Sequence, residues 1–252
     1  MSVSTENRPS RSAGIAVTAA VVLGFVGLLT GFVVGALLFG LVSVVVSDVT
    51  ENLPLQAAIS TIGMGIGLVV VAVFYLQRND LSWSYLRIRR PTARDVGWAV
   101  GITVALFAAL LAALAVVDLL GLTATEHSVA EQAQQDPRLL LPLIPLAVLV
   151  TGPAEELLYR GVIQTRLREA FGAGAAILLA SGVFSVVHIP AYGATGGLDV
   201  SLLVTLGILF LLGSFLGYAY ERTGNLVVPA VAHGLFNAVM YGGNYLSSMS
   251  LV

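Results

Sequence analysis

The run AGIAVTAAVVLGFVGLLTGFVVGALLFGLVSVVV, residues 13–46, contains no charged side chain. A helix crosses the hydrocarbon core of a bilayer with roughly 20 residues, so this run is long enough to do so with tilt to spare. In lipid, a helix satisfies every backbone N–H and C=O within its own segment. Comparable apolar runs follow at 56–77, 96–122, 139–158, 173–189, 201–220 and 226–246. Of the 252 residues, 57% are hydrophobic and 10% charged, and the mean hydropathy is +0.93. A soluble domain carries about 25% charged residues, so this chain could not cover its surface in water. The expectation is an all-α fold, a polytopic transmembrane helix bundle of seven spans, or eight if the first run holds a broken helix. Gly24, Gly27, Gly31 and Gly35 suit close packing of the first helix on a neighbour.

The first run is far longer than the apolar core of a signal peptide and reads as a span. Residues 1–12 read as a polar N-terminal tail. Net charge is −2, which leaves no basic footprint for nucleic acid. With no cysteine, the chain has no disulfide framework, thiolate metal site or cysteine nucleophile. All basic residues are arginine, a usage that suits a GC-rich or halophilic prokaryote. They alternate along the chain. Arg8 and Arg11 lie in the tail, Arg78 to Arg94 after the second run, Arg166 and Arg168 after the fourth, and Arg222 after the sixth. Arginine-rich connections favour the cytoplasmic side. The expected protein is therefore integral to the cell membrane, with a cytoplasmic N-terminus.

Three motifs interrupt the apolar runs: Glu155-Glu156-x-x-x-Arg160, Phe184-x-x-x-His188 and His233-x-x-x-Asn237. Ionisable groups at membrane depth are costly and mark functional sites. Gly152-Pro153 suggests a new helix start, with Gly152 as cap and Glu155 in the first turn. Glu156 and Arg160, four residues apart, share a face and pair, which leaves Glu155 to face elsewhere. The bland alternative is a salt-bridge cluster of Glu156, Arg160 and Arg166. If helices flank a turn at Phe171-Gly172, Glu155 and His188 are each 15 residues from it and lie at one depth. A carboxylate and an imidazole could then hold one water. His127, in the connection 123–138, reads as a solvated loop residue.

The chain contains no His-Glu-x-x-His, Gly-x-Gly-Asp or Gly-x-Ser-Gly. The three motifs, in this order on membrane helices, resemble the CAAX protease and bacteriocin-processing (Abi) family, which includes the type II prenyl-protein CAAX endopeptidases. The resemblance covers a four-helix core at 139–246, with 13–122 as accessory transmembrane helices. It implies an intramembrane endopeptidase, without cofactor, that acts on a peptide or lipidated protein beside membrane lipid. It further implies Glu155 as general base, His188 as a water ligand, and His233 and Asn237 as oxyanion donors. Glu156, Arg160 and Phe184 would support them. A zinc site of Glu155, His188 and His233 is the alternative chemistry, and a non-catalytic scaffold or immunity protein the alternative class. No sequence feature reads as a prenyl pocket.

Overall fold

The computed structural model describes residues 9–193 and 199–249, so the first eight residues of the polar tail lie outside it. The described residues form an all-α bundle: α1 Pro9–Ser43, α2 Leu53–Arg78, α3 Ala93–Leu119, α4 Ser128–Gln135, α5 Pro137–Phe171, α6 Ala173–Val187, α7 Val200–Thr223 and α8 Val227–Met249. Five of these, α1, α2, α3, α5 and α7, are long and apolar enough to cross a membrane. The fifth apolar run yields only the 15 residues of α6. At 1.5 Å per residue α6 is about 22 Å long, short of the roughly 30 Å core. Large apolar side chains such as Leu29, Phe32, Leu37 and Leu41 stand exposed along α1, as expected of a surface that meets lipid rather than water.

Local sequence sets the boundaries. Asn52 caps α2 by accepting the Leu55 N–H at 3.0 Å, and Thr92 and Asp95 form a reciprocal capping box at the start of α3. Gly172, at φ +79°, ends α5 and lets the chain reverse into α6. The expected helix start at Gly152 does not occur. Gly152 is helical (φ −54°, ψ −54°) inside a continuous α5. Pro142, Pro145 and Pro153 each remove an N–H from the ladder. The helix accommodates them by widening into π-turns at Ala147–Thr151 and Leu157–Gln164. Glu155 and Glu156 sit between those two turns, the kind of place where π-bulges serve a site.

Two apolar cores flank α5. One packs Leu158, Ile163 and Leu167 against Leu68 and Leu76 of α2 and Ala176 and Ala180 of α6. The other joins α3, α7 and α8 through Ile102, Leu106, Leu212, Leu216 and Val228. Gly24, Gly27 and Gly31 of α1 serve close packing, whereas a Cβ at Gly35 itself would meet nothing within 4 Å. An added Cβ would press on Val183 at Gly24 and on Leu68 at Gly27, and a Cβ at Gly63 would strike the backbone of Gly35. Between α5 and α7 the contact is polar. Arg160 donates to the Gly213 carbonyl at 3.0 Å and Gln164 to the Gly217 carbonyl at 3.0 Å. Glycine at both α7 positions leaves the carbonyls open to these donors.

Candidate active site

Glu155 and Glu156 leave α5 in different directions, as consecutive helical residues must. Glu156 is fully buried. One of its oxygens, Oε2, pairs with Arg160 Nε at 3.2 Å. The other, Oε1, accepts from His233 Nδ1 at 3.0 Å. Arg160, also fully buried, lies 4.9 Å over the Phe184 ring. Arg166 takes no part and pairs with Glu169 at 2.6 Å. The cluster is thus the i, i+4 pair read from the sequence, extended by a histidine of α8.

Glu155 faces the other way, into a cavity of about 300 Å³. Its Oε2 is buried and has no hydrogen-bond partner among the described residues. His188 Nε2 and His233 Nε2 each stand 3.9 Å from that oxygen. Both imidazoles are held from behind. His188 Nδ1 donates to the Phe184 carbonyl at 2.6 Å, one turn back on α6. His233 Nδ1 faces the Glu156 carboxylate. With its proton on Nδ1, the His188 imidazole presents the lone pair of Nε2 to the cavity, and His233 turns its Nε2 into the same space. Phe184 fixes the ring planes, with centroids 4.4 Å from His188 and 6.0 Å from His233. Asn237 lines the same cavity, and its side chain makes no hydrogen bond to another described residue. All seven sequence-derived residues therefore converge on one place.

The cavity also contains what the sequence reading missed. His127, read as solvated, lines it and stacks edge-on against Tyr192 at 4.8 Å. Its Nδ1 accepts the Val129 N–H at 3.0 Å and caps α4. Burial, with a smaller push from His188, lowers its pKa to about 4, so it is neutral. Every histidine of the chain thus lines one cavity. Burial and the charge of Glu155 push Tyr192 up to about 12, which keeps its phenol protonated. Tyr241 and Asn244 complete the polar rim. They continue the face of His233 and Asn237 by one more turn and a further three residues, a spacing that was readable in the sequence. The remaining wall is apolar, formed by Leu106, Leu110 and Leu114 of α3 and Ile208, Leu212 and Leu216 of α7. No local motif announced this chamber, because it is assembled from helices far apart in the chain.

Residues 137–239 match the family model described as type II CAAX prenyl endopeptidase Rce1-like. The matched segment is similar to that family over less than half of the chain. It holds Glu155, Glu156, Arg160, Phe184, His188, His233 and Asn237, whereas His127 and α1 to α3 precede it. The chain is also similar to the uncharacterized protein YpbD of Bacillus subtilis (strain 168), 33% identical over 99 residues. That alignment covers 39% of this chain and 44% of YpbD, less than half the length of either. No solved structure matches the chain. With its long apolar helices and its Rce1-like segment, the chain is a multi-pass membrane protein.

Proposed function

We propose that the protein is an intramembrane endopeptidase in which Glu155 activates a water. The observation that carries this reading is the buried, unpartnered Oε2 of Glu155, 3.9 Å from Nε2 of two histidines. These gaps are too long for direct hydrogen bonds, and they suit a water that touches all three groups. In the proposed step, Glu155 removes a proton from that water as its oxygen attacks the scissile carbonyl carbon. His188 Nε2 accepts the water's second hydrogen as a hydrogen bond and so orients it. The tetrahedral oxyanion is held by the Asn237 amide and by Nε2 of His233 in its doubly protonated form. That form is balanced by the Glu156 carboxylate at Nδ1. Glu155 then passes its proton to the departing amine nitrogen, and the C–N bond breaks.

The apolar chamber beside this polar end supports a lipidated peptide as substrate, with its lipid against Leu106, Leu110, Leu212 and Leu216. A prenylated C-terminal peptide of the CAAX type is the specific case. The test is cleavage of a quenched fluorescent farnesylated CAAX peptide by the purified protein and by Glu155→Ala, each with and without EDTA. We expect turnover that survives EDTA and is lost in Glu155→Ala. Unchanged turnover in Glu155→Ala would sink the mechanism.

The anchored Nδ1 atoms favour a second reading. Histidines that donate Nδ1–H to a carbonyl or a carboxylate are arranged as zinc ligands are, and Glu155 would complete the set. Among the described residues, however, no three such side chains stand at metal-ligand spacing. Loss of turnover in EDTA, restored by added zinc, would select this reading over the first.

A further inference from the structure

The outer, lipid-facing seam between α3 and α7 contains a groove of about 570 Å³, lined by Arg94, Gly97, Trp98, Gly101, Phe215 and Tyr218. An added Cβ at Gly97 or Gly101 would meet nothing within 4 Å, so the two glycines leave a trough. Past Phe215 the seam continues as a second crevice of about 520 Å³ between Ala109, Ala112 and Val116 on α3 and Val204, Gly207 and Leu211 on α7. From Arg94 to Val117 the trough extends about 35 Å by helical rise, comparable with the thickness of a bilayer core.

One end of this trough is cationic. Arg94 lines it, and Arg222 lies 5.9 Å over the Tyr218 ring. Trp98 and Tyr218 stand between them with ring centroids 6.3 Å apart. The carboxylates nearby are already engaged. Asp95 is held by Arg89 at 2.7 and 2.9 Å, and Glu221 by Arg168 at 2.9 Å and Arg87 at 3.7 Å. Arg94 and Arg222 have no carboxylate partner among the described residues. Two unpaired guanidinium groups beside an aromatic pair, above an apolar trough, match a phosphate headgroup with its acyl chains below.

The geometry points to a binding site for an anionic glycerophospholipid on the α3–α7 seam, its headgroup on Arg94 and Arg222 and an acyl chain over Gly97 and Gly101. The site is separate from the catalytic cavity. The groove at Gly97 and Gly101 shares no lining residue with that cavity, to which the same two helices supply Leu106, Leu110 and Leu212, and only the crevice past Phe215 meets it, at Ile208. This inference does not depend on the proteolytic reading.

Native mass spectrometry tests it. The purified protein is released from detergent after mixing with equal amounts of phosphatidylglycerol and phosphatidylcholine of the same acyl chains. We expect phosphatidylglycerol to be retained preferentially. Because each basic residue near a charged lipid surface adds to the attraction, Arg94→Gln with Arg222→Gln should weaken that retention by roughly tenfold or more. Arg78→Gln with Arg90→Gln removes the same charge from exposed positions off the groove and should leave the preference in place. Gly101→Leu, which grows into open space and should keep the melting temperature, should reduce retention of both lipids. Equal retention of the two lipids by the unmodified protein would overturn the proposal. So would a loss of preference in the Arg78/Arg90 pair as large as in the Arg94/Arg222 pair, or undiminished retention in Gly101→Leu.

Discussion

Asn237 stands one turn after His233 on α8 and lines the cavity, and its side chain hydrogen-bonds to no other described residue. A side chain so placed contributes little to stability and is free to meet a developing oxyanion. Asn237→Ala should lower kcat by about a hundredfold to a thousandfold, the usual cost of one oxyanion donor, with an unchanged melting temperature. Full activity in this variant would remove Asn237 from the mechanism. His127 makes a different contribution. Its folded pKa of about 4 lies below the ordinary 6.5, so the folded chain refuses a proton that the unfolded chain accepts. The stability from its neutral form is complete above pH 6.5 and is lost as pH falls from 6.5 toward 4. His127→Asn keeps an acceptor for the Val129 N–H and removes the titration. Its melting temperature should therefore fall less between pH 7.5 and 4.5 than that of the unmodified protein, and equal falls would contradict the burial argument. The two residues also show why sequence reading succeeded with one and failed with the other. Asn237 follows a membrane histidine at helical spacing. His127 sits in a polar connection whose neighbours give no sign that α4 and Tyr192 bury it.

At the scale of elements, the site depends on how closely α5 and α8 approach. A Cβ at Gly234 would lie 2.7 Å from Val148 Cα and 2.8 Å from the Ala147 carbonyl oxygen. A Cβ at Gly152 would lie 2.8 Å from Gly234 N and would press on the Ala230 carbonyl. These neighbours are backbone atoms, which cannot step aside as a flexible side chain could. Gly234→Ala should therefore push the helices apart. We expect it to cost about 1–3 kcal/mol in denaturant titrations, as overpacking does. Because Glu156–His233 and Glu155–His233 both bridge this contact, we also expect kcat to fall by at least about tenfold, since a shift near 1 Å can cost a hundredfold. A variant as active as the parent would show that the spacing of α5 and α8 is not what aligns the site. The helical hairpin of α5 and α6 was legible in advance, because equal arm lengths about Gly172 place Glu155 and His188 level. The role of Gly152 was not. Gly-Pro carries the same local signal at a helix start and inside a helix with π-turns, and only the partner backbone of α8 distinguishes the two.

Over the whole molecule, the arginines of the connections gather at one end of the bundle, except Arg138, which pairs with Asp136 at the other. Arg168 and Arg87 share Glu221, the Leu226 N–H bonds the Arg87 carbonyl at 3.1 Å, and Arg89 donates to the Thr223 carbonyl at 2.9 Å. At the other end Thr123 meets Ser201 at 2.7 Å, and Thr125 meets Thr205 at 2.8 Å. The Glu155 cavity lies toward this arginine-poor end, where Ala124, Thr125, His127 and Ala130 line it. By the positive-inside rule the arginine cluster would face the cytoplasm; the cavity would then open on the opposite face, and its substrate would be a lipidated peptide of that face rather than a cytoplasmic CAAX peptide. A chain without cysteine allows a direct test, because each introduced thiol is unique. Ser82→Cys marks the arginine-rich end and Glu131→Cys the cavity end, both at exposed positions. In intact cells, a membrane-impermeant maleimide should label Glu131→Cys at once and Ser82→Cys only after permeabilisation. The reverse pattern would mean that the arginines do not set the orientation, and would place the cavity on the side where prenylated cytoplasmic peptides could reach Glu155.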